Sequence, residues 1–242
     1  MKYNERVAIV TGGTGNLGRV IASHFAEHGI RVYIPVQSLE KFKEVFNETS
    51  GQSDVPFLRQ CFGIPCDATD KADVDEFCRN IYNKENRIDY LINVIGGFHP
   101  KKYLTEMTDE LINDQMKLNL FTAFYFTQSC VRYMLKRNFG RVVSFAAKAA
   151  LEPVRGKFAY SLSKYAVLQL MNTFDLELKG NNITFNTVVP DIIDTPENRL
   201  SMPDRDHNKF VRPEDIVNIC MFLIGDEATN VSGNVIKIYG NS

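Results

Sequence analysis

VAIVTGGTGNLGRVIA, residues 7 to 22, is the stretch that decides the reading of this chain. Val7 to Val10 predict a strand and the glycines at 12, 13, 15 and 18 predict a tight turn. Leu17, Val20, Ile21, His24, Phe25 and His28 then share one stripe of a helix that Gly29 ends. A GxGxxG spacing becomes informative when it joins a first strand to a first helix. Gly12 allows the turn, Gly13 and Gly15 let backbone approach a pyrophosphate at the helix amino end, and Gly18 lets helix and strand pack closely. Thr14, Asn16 and Leu17 complete this expected dinucleotide-binding turn. The competing reading is a glycine-rich bend that only packs.

Working outward, six more β-branched runs alternate with helical periodicity: RVYI (31 to 34), CFGIPC (61 to 66), DYLINV (89 to 94), RVVSF (141 to 145), ITFNTVV (183 to 189) and VIKIY (235 to 239). Seven strands separated by helices imply an α/β protein, a Rossmann-like doubly wound seven-stranded parallel sheet flanked by helices. Asp70 is placed to cap the helix carrying Val74, Phe77, Cys78 and Ile81, and Gly180 to close a helix over 158–179. No repeat or Pro/Gly/Ser linker divides the chain, so residues 1–242 read as a single domain. Residues 190–212 break the rhythm with three prolines and no sustained period. A long irregular segment beyond a strand's carboxyl end reads as a substrate loop.

Composition narrows the function classes. The 242 residues are 44% hydrophobic and 24% charged, with 28 basic against 29 acidic side chains and a net charge of −1. That balance describes a globular protein with no bulk attraction for nucleic acid. Its longest apolar runs fall far short of the roughly 18 residues of a membrane span. The start MKYNERVAIV lacks a basic-then-apolar signal, so the expected location is cytoplasmic. Five cysteines (61, 66, 78, 130, 220) form no CxxC pair and read as reduced, mostly buried thiols. His24, His28, His99 and His207 have no ligand spacing, so no metal is expected; His99 follows a glycine pair where substrate could pass.

After the second strand, an acid would bond a ribose 2′-hydroxyl and a base would favour a 2′-phosphate. The chain has neither, reading Ile34, Pro35, Val36, Gln37, Ser38. With no acid to repel a phosphate, and with Ser38, Lys41 and Arg19 in reach, the expectation for the NAD(P)H cofactor tilts to NADP(H) over NAD(H), Gln37 and Ser38 facing its adenosine end. Tyr160 and Lys164 lie one helical turn apart on one face. A nearby ammonium favours phenolate and is expected to draw the Tyr160 pKa toward neutrality.

With these pieces in order, the chain resembles the short-chain dehydrogenase/reductase family over essentially its whole length. The matching stretches are TGGTGNLG (11 to 18), Asp67 in CDATD, NVIG (93 to 96), Asn119 in MKLNLFTAF, YSLSK (160 to 164) and PDIIDT (190 to 195). The resemblance implies hydride transfer between NAD(P)H and a carbonyl or conjugated C=N substrate. In it Tyr160 is the proton donor, Lys164 binds the nicotinamide ribose and tunes the tyrosine, and Asn119 holds a water on the proton path. Asp67 and Ala68 would meet the adenine, Asn93 and Gly96 would line the cofactor channel, and Pro190, Ile193 and Thr195 would lie at the carboxamide end. Homodimers or homotetramers built through the helix over 111–135 and the Tyr160 helix are also implied.

Three positions depart from the family pattern: NVIG replaces NNAG, Asp191 replaces the glycine after Pro190, and Asn16 replaces a glycine of the turn. The catalytic serine's position holds Ala147, and a lost oxyanion donor commonly costs about 3 to 4 kcal/mol. Ser144 is no simple substitute, because strand alternation turns it away. One branch, the dihydropteridine reductases, also lacks that serine and is similar to this chain in AAKAALEPVRGKFAYSLSKYAV and DTPENRLSMPDRDHNKFVRPED, which implies a quinonoid pterin as the alternative substrate. A contrasting class is a nucleotide-sensing or structural relative without turnover.

Overall fold

The computed structural model describes residues 3, 5–47 and 60–240. Its strands are β1 (Val7–Thr11), β2 (Arg31–Val36), β3 (Cys61–Pro65), β4 (Tyr90–Asn93), β5 (Gly140–Phe145), β6 (Ile183–Pro190) and β7 (Asn234–Ile238). They form one seven-stranded sheet in the order β3-β2-β1-β4-β5-β6-β7, with parallel pairing throughout the registers β1/β2, β1/β4, β2/β3 and β6/β7. The central strands β1, β4, β5 and β6 are buried along their whole length, as helix-covered parallel strands must be, whereas the edges β3 and β7 are only partly covered. The strand order reverses between β1 and β4, where Thr11 pairs with Asn93. Thr11 fastens that point, its Oγ1 accepting from the Val94 amide at 3.0 Å.

The helices among the described residues are α1 (Asn16–Glu27), α2 (Leu39–Asn47), α3 (Lys71–Glu85), α4 (Asp109–Gln115), α5 (Thr122–Arg137), α6 (Lys148–Leu151), α7 (Phe158–Glu177), α8 (Pro196–Ser201) and α9 (Pro213–Ile224). Asp70 caps α3 as expected, its Oδ1 accepting from the amides of Ala72 and Asp73 at 2.7 and 3.0 Å. Three expectations change. The buried face of α1 is Leu17, Gly18, Ile21, Ala22, Phe25 and Ala26, while His28 is exposed; small residues set beside large ones bring the helix close to its sheet. The run 111–135 is not one helix. Residues Met116–Phe121 form a π-helical turn between α4 and α5, which breaks the 3.6-residue phase. The segment 190–212 is also less irregular than its composition implies, because Thr195 caps α8, with Pro196 in its first turn, and Ile193 bridges to Val211.

The chain divides into two compact units. The first comprises Met1–Val94, Tyr125–Val142 and Gly180–Ile183, and the second Ile95–Phe124, Val143–Lys179 and Thr184–Ser242. In the first unit Ile9, Ile21, Phe25, Val74, Phe77 and Phe126 are buried, with Phe77 set edge-on to Phe126. In the second, Ala146, Leu168 and Val189 pack together, and Phe185 meets Phe174 edge-on. All five cysteines are buried free thiols. Among the described residues no helix is long and apolar enough to cross a membrane.

Candidate active site

The first unit holds the glycine turn. Gly12 takes a left-handed φ of +65°, and the Gly15 amide closes the turn on the Gly12 carbonyl at 2.9 Å. A Cβ on Gly18 would stand 2.2 Å from that carbonyl oxygen, which fixes the residue as glycine by close approach. Gly13 differs from expectation. It is buried, and a Cβ there would meet the Ile34 side chain at 2.8 Å, so its missing side chain makes room for β2 and not for an anion. Gly15 is exposed and gives α1 no side-chain cap, with Thr14 half-buried before it and Asn16 and Leu17 opening the helix. The first amides of a helix lack intrahelical partners, so this end suits an anion.

Beyond β2 and β3 lies a cavity of about 680 Å³, lined by Gln37, Ile64, Pro65, Cys66, Asp67, Thr69, Asp73, Glu76, Phe77 and Asn80. Asp67 Oδ1 accepts from the amide and hydroxyl of Thr69 at 2.8 and 2.7 Å, and Ala68 lies between them in sequence. This corrects the premise behind the tilt to NADP(H). No acid ends β2, yet Asp67, Asp73 and Glu76 bring three carboxylates to the cavity that Gln37 lines. Ser38 is turned elsewhere, its Oγ accepting from the Lys41 amide at 3.2 Å at the start of α2. Asn93 is buried, with its Nδ2 donating to Thr127 Oγ1 of α5 at 3.0 Å, which ties it to a helix and not to an open channel.

The second unit gathers the residues expected to do chemistry. Asn119 sits in the π turn and is 1% exposed. Its Oδ1 accepts from the Gly97 amide at 3.0 Å, and its Nδ2 donates to the Gly97 carbonyl at 3.0 Å and to Ser163 Oγ at 3.1 Å. Ser163 in turn donates to the Tyr160 carbonyl at 2.8 Å, a link the sequence reading missed. Lys164 is 5% exposed and donates to the Phe145 carbonyl at 2.9 Å. A Cβ on Gly96 would stand 2.6 Å from Lys164 Nζ and 2.8 Å from Asn119 Oδ1, so both groups converge on a backbone that only glycine can supply.

Burial pushes the Tyr160 phenol up to about 12 and the Lys164 ammonium down to about 8. The expected lowering of Tyr160 is thus reversed. The ammonium is aimed at the Phe145 carbonyl, and loss of solvent around the phenol favours its neutral form.

Ala147 is the residue before α6, its extended backbone carrying a methyl where no side-chain cap forms. Lys148, next in the chain, reaches Asp191 Oδ2 at 2.8 Å and lies 4.8 Å from the centre of the Tyr239 ring. That carboxylate holds the Lys148 ammonium above its ordinary value. Asp191 follows the buried Pro190 and donates its amide to the Ile238 carbonyl at 3.0 Å. Two unusual residues therefore answer each other as one ion pair across the ends of β5, β6 and β7. Ile193 accepts at its carbonyl from Asn198 Nδ2 at 2.8 Å, and Thr195 Oγ1 accepts from the Asn198 amide at 3.2 Å, so both are held by α8. Ser144 is buried and directs its hydroxyl to the Met171 sulfur at 3.1 Å, away from the place of Ala147.

A parallel sheet with a glycine turn at its switch point, and a half-buried tyrosine one helical turn from a buried lysine, define a class of dinucleotide-dependent oxidoreductases. The short chain dehydrogenase profile matches residues 6–206, and the chain belongs to that family. It is similar to a 3-oxoacyl-[acyl-carrier-protein] reductase of Thermotoga maritima, 28% identical across 99% of this chain and 98% of that protein. It is also similar to a (2S)-[(R)-hydroxy(phenyl)methyl]succinyl-CoA dehydrogenase subunit of Thauera aromatica, 29% identical across 99% and 97%. Among solved structures, an actinorhodin polyketide ketoreductase with NADPH superposes with a TM-score of 0.85 at 25% identity, covering 98% of each chain.

Proposed function

We propose that this chain passes hydride between a nicotinamide dinucleotide and a carbonyl or conjugated C=N group, with Tyr160 as the proton donor. The observation that carries the reading is the convergence of Lys164 Nζ and Asn119 Oδ1 on Gly96, one helical turn from Tyr160. The residues fit the cofactor: the exposed Gly15 at the α1 amino end suits its pyrophosphate, and the cavity lined by Gln37 and Asp67 suits its adenosine. When bound, the dinucleotide supplies or accepts the hydride. Tyr160, held neutral by burial, donates its proton to the substrate oxygen or nitrogen, and the buried Lys164 one helical turn away is the group that would hold the nicotinamide ribose. Asn119 positions Gly97 and, through Ser163, the α7 turn bearing Tyr160; the remaining lone pair of its Oδ1 is where a water on the proton path would bond. The carboxylates at 67, 73 and 76 favour a free 2′-hydroxyl over a 2′-phosphate, so NAD(H) replaces NADP(H) as the preferred cofactor in this reading. Pro190, Ile193 and Thr195 lie at the carboxamide end, and 190–212 covers the substrate within a single domain over 1–242.

A quinonoid substrate such as a dihydropterin is a second reading, favoured by the methyl of Ala147, which offers no donor to a developing oxyanion. A cytoplasmic homo-oligomer, dimer or tetramer, belongs to the same reading. It is supported by the exposed α7 stripe of Phe158, Leu162 and Tyr165. The test is oxidation of NADH and NADPH over a panel of carbonyl and quinonoid substrates, beside a binding titration. Tyr160→Phe should lower turnover by about 10² to 10⁴ while dinucleotide affinity holds. Equal turnover in parent and variant refutes the role of Tyr160, and binding without turnover on any substrate makes the chain a nucleotide sensor.

A further inference from the structure

Two loops of the second unit meet beside Tyr160. One, 95–108, follows β4; the other, 152–157, joins α6 to α7. They are pinned by the Lys102 amide on the Gly156 carbonyl at 3.0 Å, and Gly156, with φ of +77°, leaves only 3.2 Å between a would-be Cβ and the Lys101 side chain. The result is a rim of cations interleaved with aromatic rings. Lys157 Nζ lies 4.2 Å from the centre of the Phe98 ring and donates to the His99 carbonyl at 2.6 Å, and the Arg155 guanidinium lies 5.1 Å from the centre of Tyr103. Phe98 is 63% exposed, and its ring meets Tyr160 at 69° with centroids 6.3 Å apart, which places the rim at the proton donor.

The cations of this rim are uncompensated. Among the described residues no carboxylate pairs with Lys101, Lys102, Arg155 or Lys157. The two acids in these loops face elsewhere, Glu106 accepting from the Tyr103 amide at 2.9 Å and Glu152 acting on Lys148. Burial and the neighbouring Lys101 charge hold the Lys157 ammonium below its ordinary value, the mark of like charges kept close. His99 in the same cluster is 6% exposed, its Nδ1 facing the Pro100 carbonyl and its Nε2 without a partner among the described residues. In a chain of net charge −1, four cations against two carboxylates on two pinned loops form a local anion trap.

We propose that this rim is the subsite for an anionic group of the substrate, a carboxylate or phosphate joined to a flat or apolar portion that carries the reacting carbonyl. Phe98 and Tyr103 take the flat portion, and Lys101, Lys157 and Arg155 take the charge. The assignment rests on the reading of Tyr160 as proton donor, and binding separates the two ideas. Benzoylformate, its methyl ester and phenyl phosphate are titrated calorimetrically against the parent, Lys101→Gln, Lys157→Gln and the control Lys136→Gln. Reduction of the two ketones is followed in parallel. Lys101 has no side-chain partner among the described residues, so its replacement tests charge without loosening the fold.

Benzoylformate is expected to bind at least about tenfold more tightly than its ester at about 20 mM salt, the advantage falling below about threefold at about 0.5 M salt or in Lys101→Gln and Lys157→Gln. Lys136→Gln, which removes one charge over the Tyr82 and Tyr133 rings, should keep the full ratio. Tight phenyl phosphate alone assigns the rim to phosphate, and benzoylformate alone to carboxylate. Equal affinity for acid and ester in the parent together with no tight binding of phenyl phosphate, or the same anion preference in Lys101→Gln and Lys136→Gln, overturns the subsite. Anion preference with no reduction of either ketone upholds the rim and leaves hydride transfer to the wider carbonyl and quinonoid panel, where turnover of no substrate overturns it; reduction of both ketones at equal kcat/KM upholds hydride transfer and overturns the rim.

Discussion

Replacing Lys164 by Met tests whether the site is held against the interests of the fold. Burial lowers the ammonium from 10.5 to about 8, and at about 1.4 kcal/mol per tenfold change in proton affinity the charged form costs about 3 kcal/mol in the folded chain at pH 7. The sign follows from proton counting. Between about 8 and 10.5 the unfolded lysine keeps a proton that the folded one has lost, so stability rises with pH through that window and the cost is complete below it. Met fills similar volume without charge but leaves the Phe145 carbonyl unbonded, which returns about 1 to 3 kcal/mol. Lys164→Met should therefore be as stable as the parent or more stable at pH 7, by up to about 2 kcal/mol. Its relative advantage should shrink by about 2 kcal/mol by about pH 9.5. Urea unfolding at fixed protein concentration across that range measures it. The range stops below 10 because Tyr160, raised to about 12 by burial, makes the folded state lose stability from its ordinary value upward. A difference independent of pH, or a variant several kcal/mol weaker at pH 7, refutes the reasoning.

Gly18→Ala drives a methyl to within 2.2 Å of the Gly12 carbonyl and should cost at least about 3 kcal/mol in urea unfolding and abolish dinucleotide binding; a variant that binds normally would show that the turn can yield. Asp73→Asn with Glu76→Gln removes two of the three cavity carboxylates and should shift the Kd ratio toward NADP(H) by at least about fivefold, measured by titration with both cofactors; an unchanged ratio puts the 2′ position outside this cavity. Ala147→Ser should raise kcat/KM for simple ketones by roughly one oxyanion bond, about a hundred- to a thousandfold, and do less for conjugated substrates that spread the charge themselves. Simple ketones outrunning conjugated ones in the parent would contradict that argument.

What the sequence discloses here is what short range determines. The seven strands emerge at nearly their observed bounds because covered parallel strands are continuous apolar runs, and Asp70 caps α3 through its own next turn. The π turn at Met116–Phe121 was hidden because nothing local demands it; its effect, Asn119 clamped to Gly97, depends on residues 22 positions apart. Asp67 was legible, but the other two cavity acids were hidden for a similar reason. The end of β2 carries no acid of its own, while Asp73 and Glu76 arrive from α3. Gly13 belongs to the glycine pattern yet answers to Ile34, a tertiary neighbour. The Lys148–Asp191 pair spans 43 positions, so each partner read alone is only an oddity.

Several features of the second unit are unfavourable to folding taken singly. A lysine is buried against one carbonyl, a helix is interrupted by a π turn, a tyrosine carries a raised pKa, and a glycine stands where any side chain would strike two polar groups. Folding alone would disperse or remove such features, since each has an easy replacement: a buried apolar residue for the lysine, continued α-helix for the π turn. They do not disperse. Gly96 touches the positions of both Lys164 Nζ and Asn119 Oδ1, Asn119 reaches Ser163, and Ser163 reaches the Tyr160 backbone. When local costs concentrate along one connected set of contacts, chemistry explains them better than packing does, which is the argument for the roles proposed for Tyr160, Lys164 and Asn119.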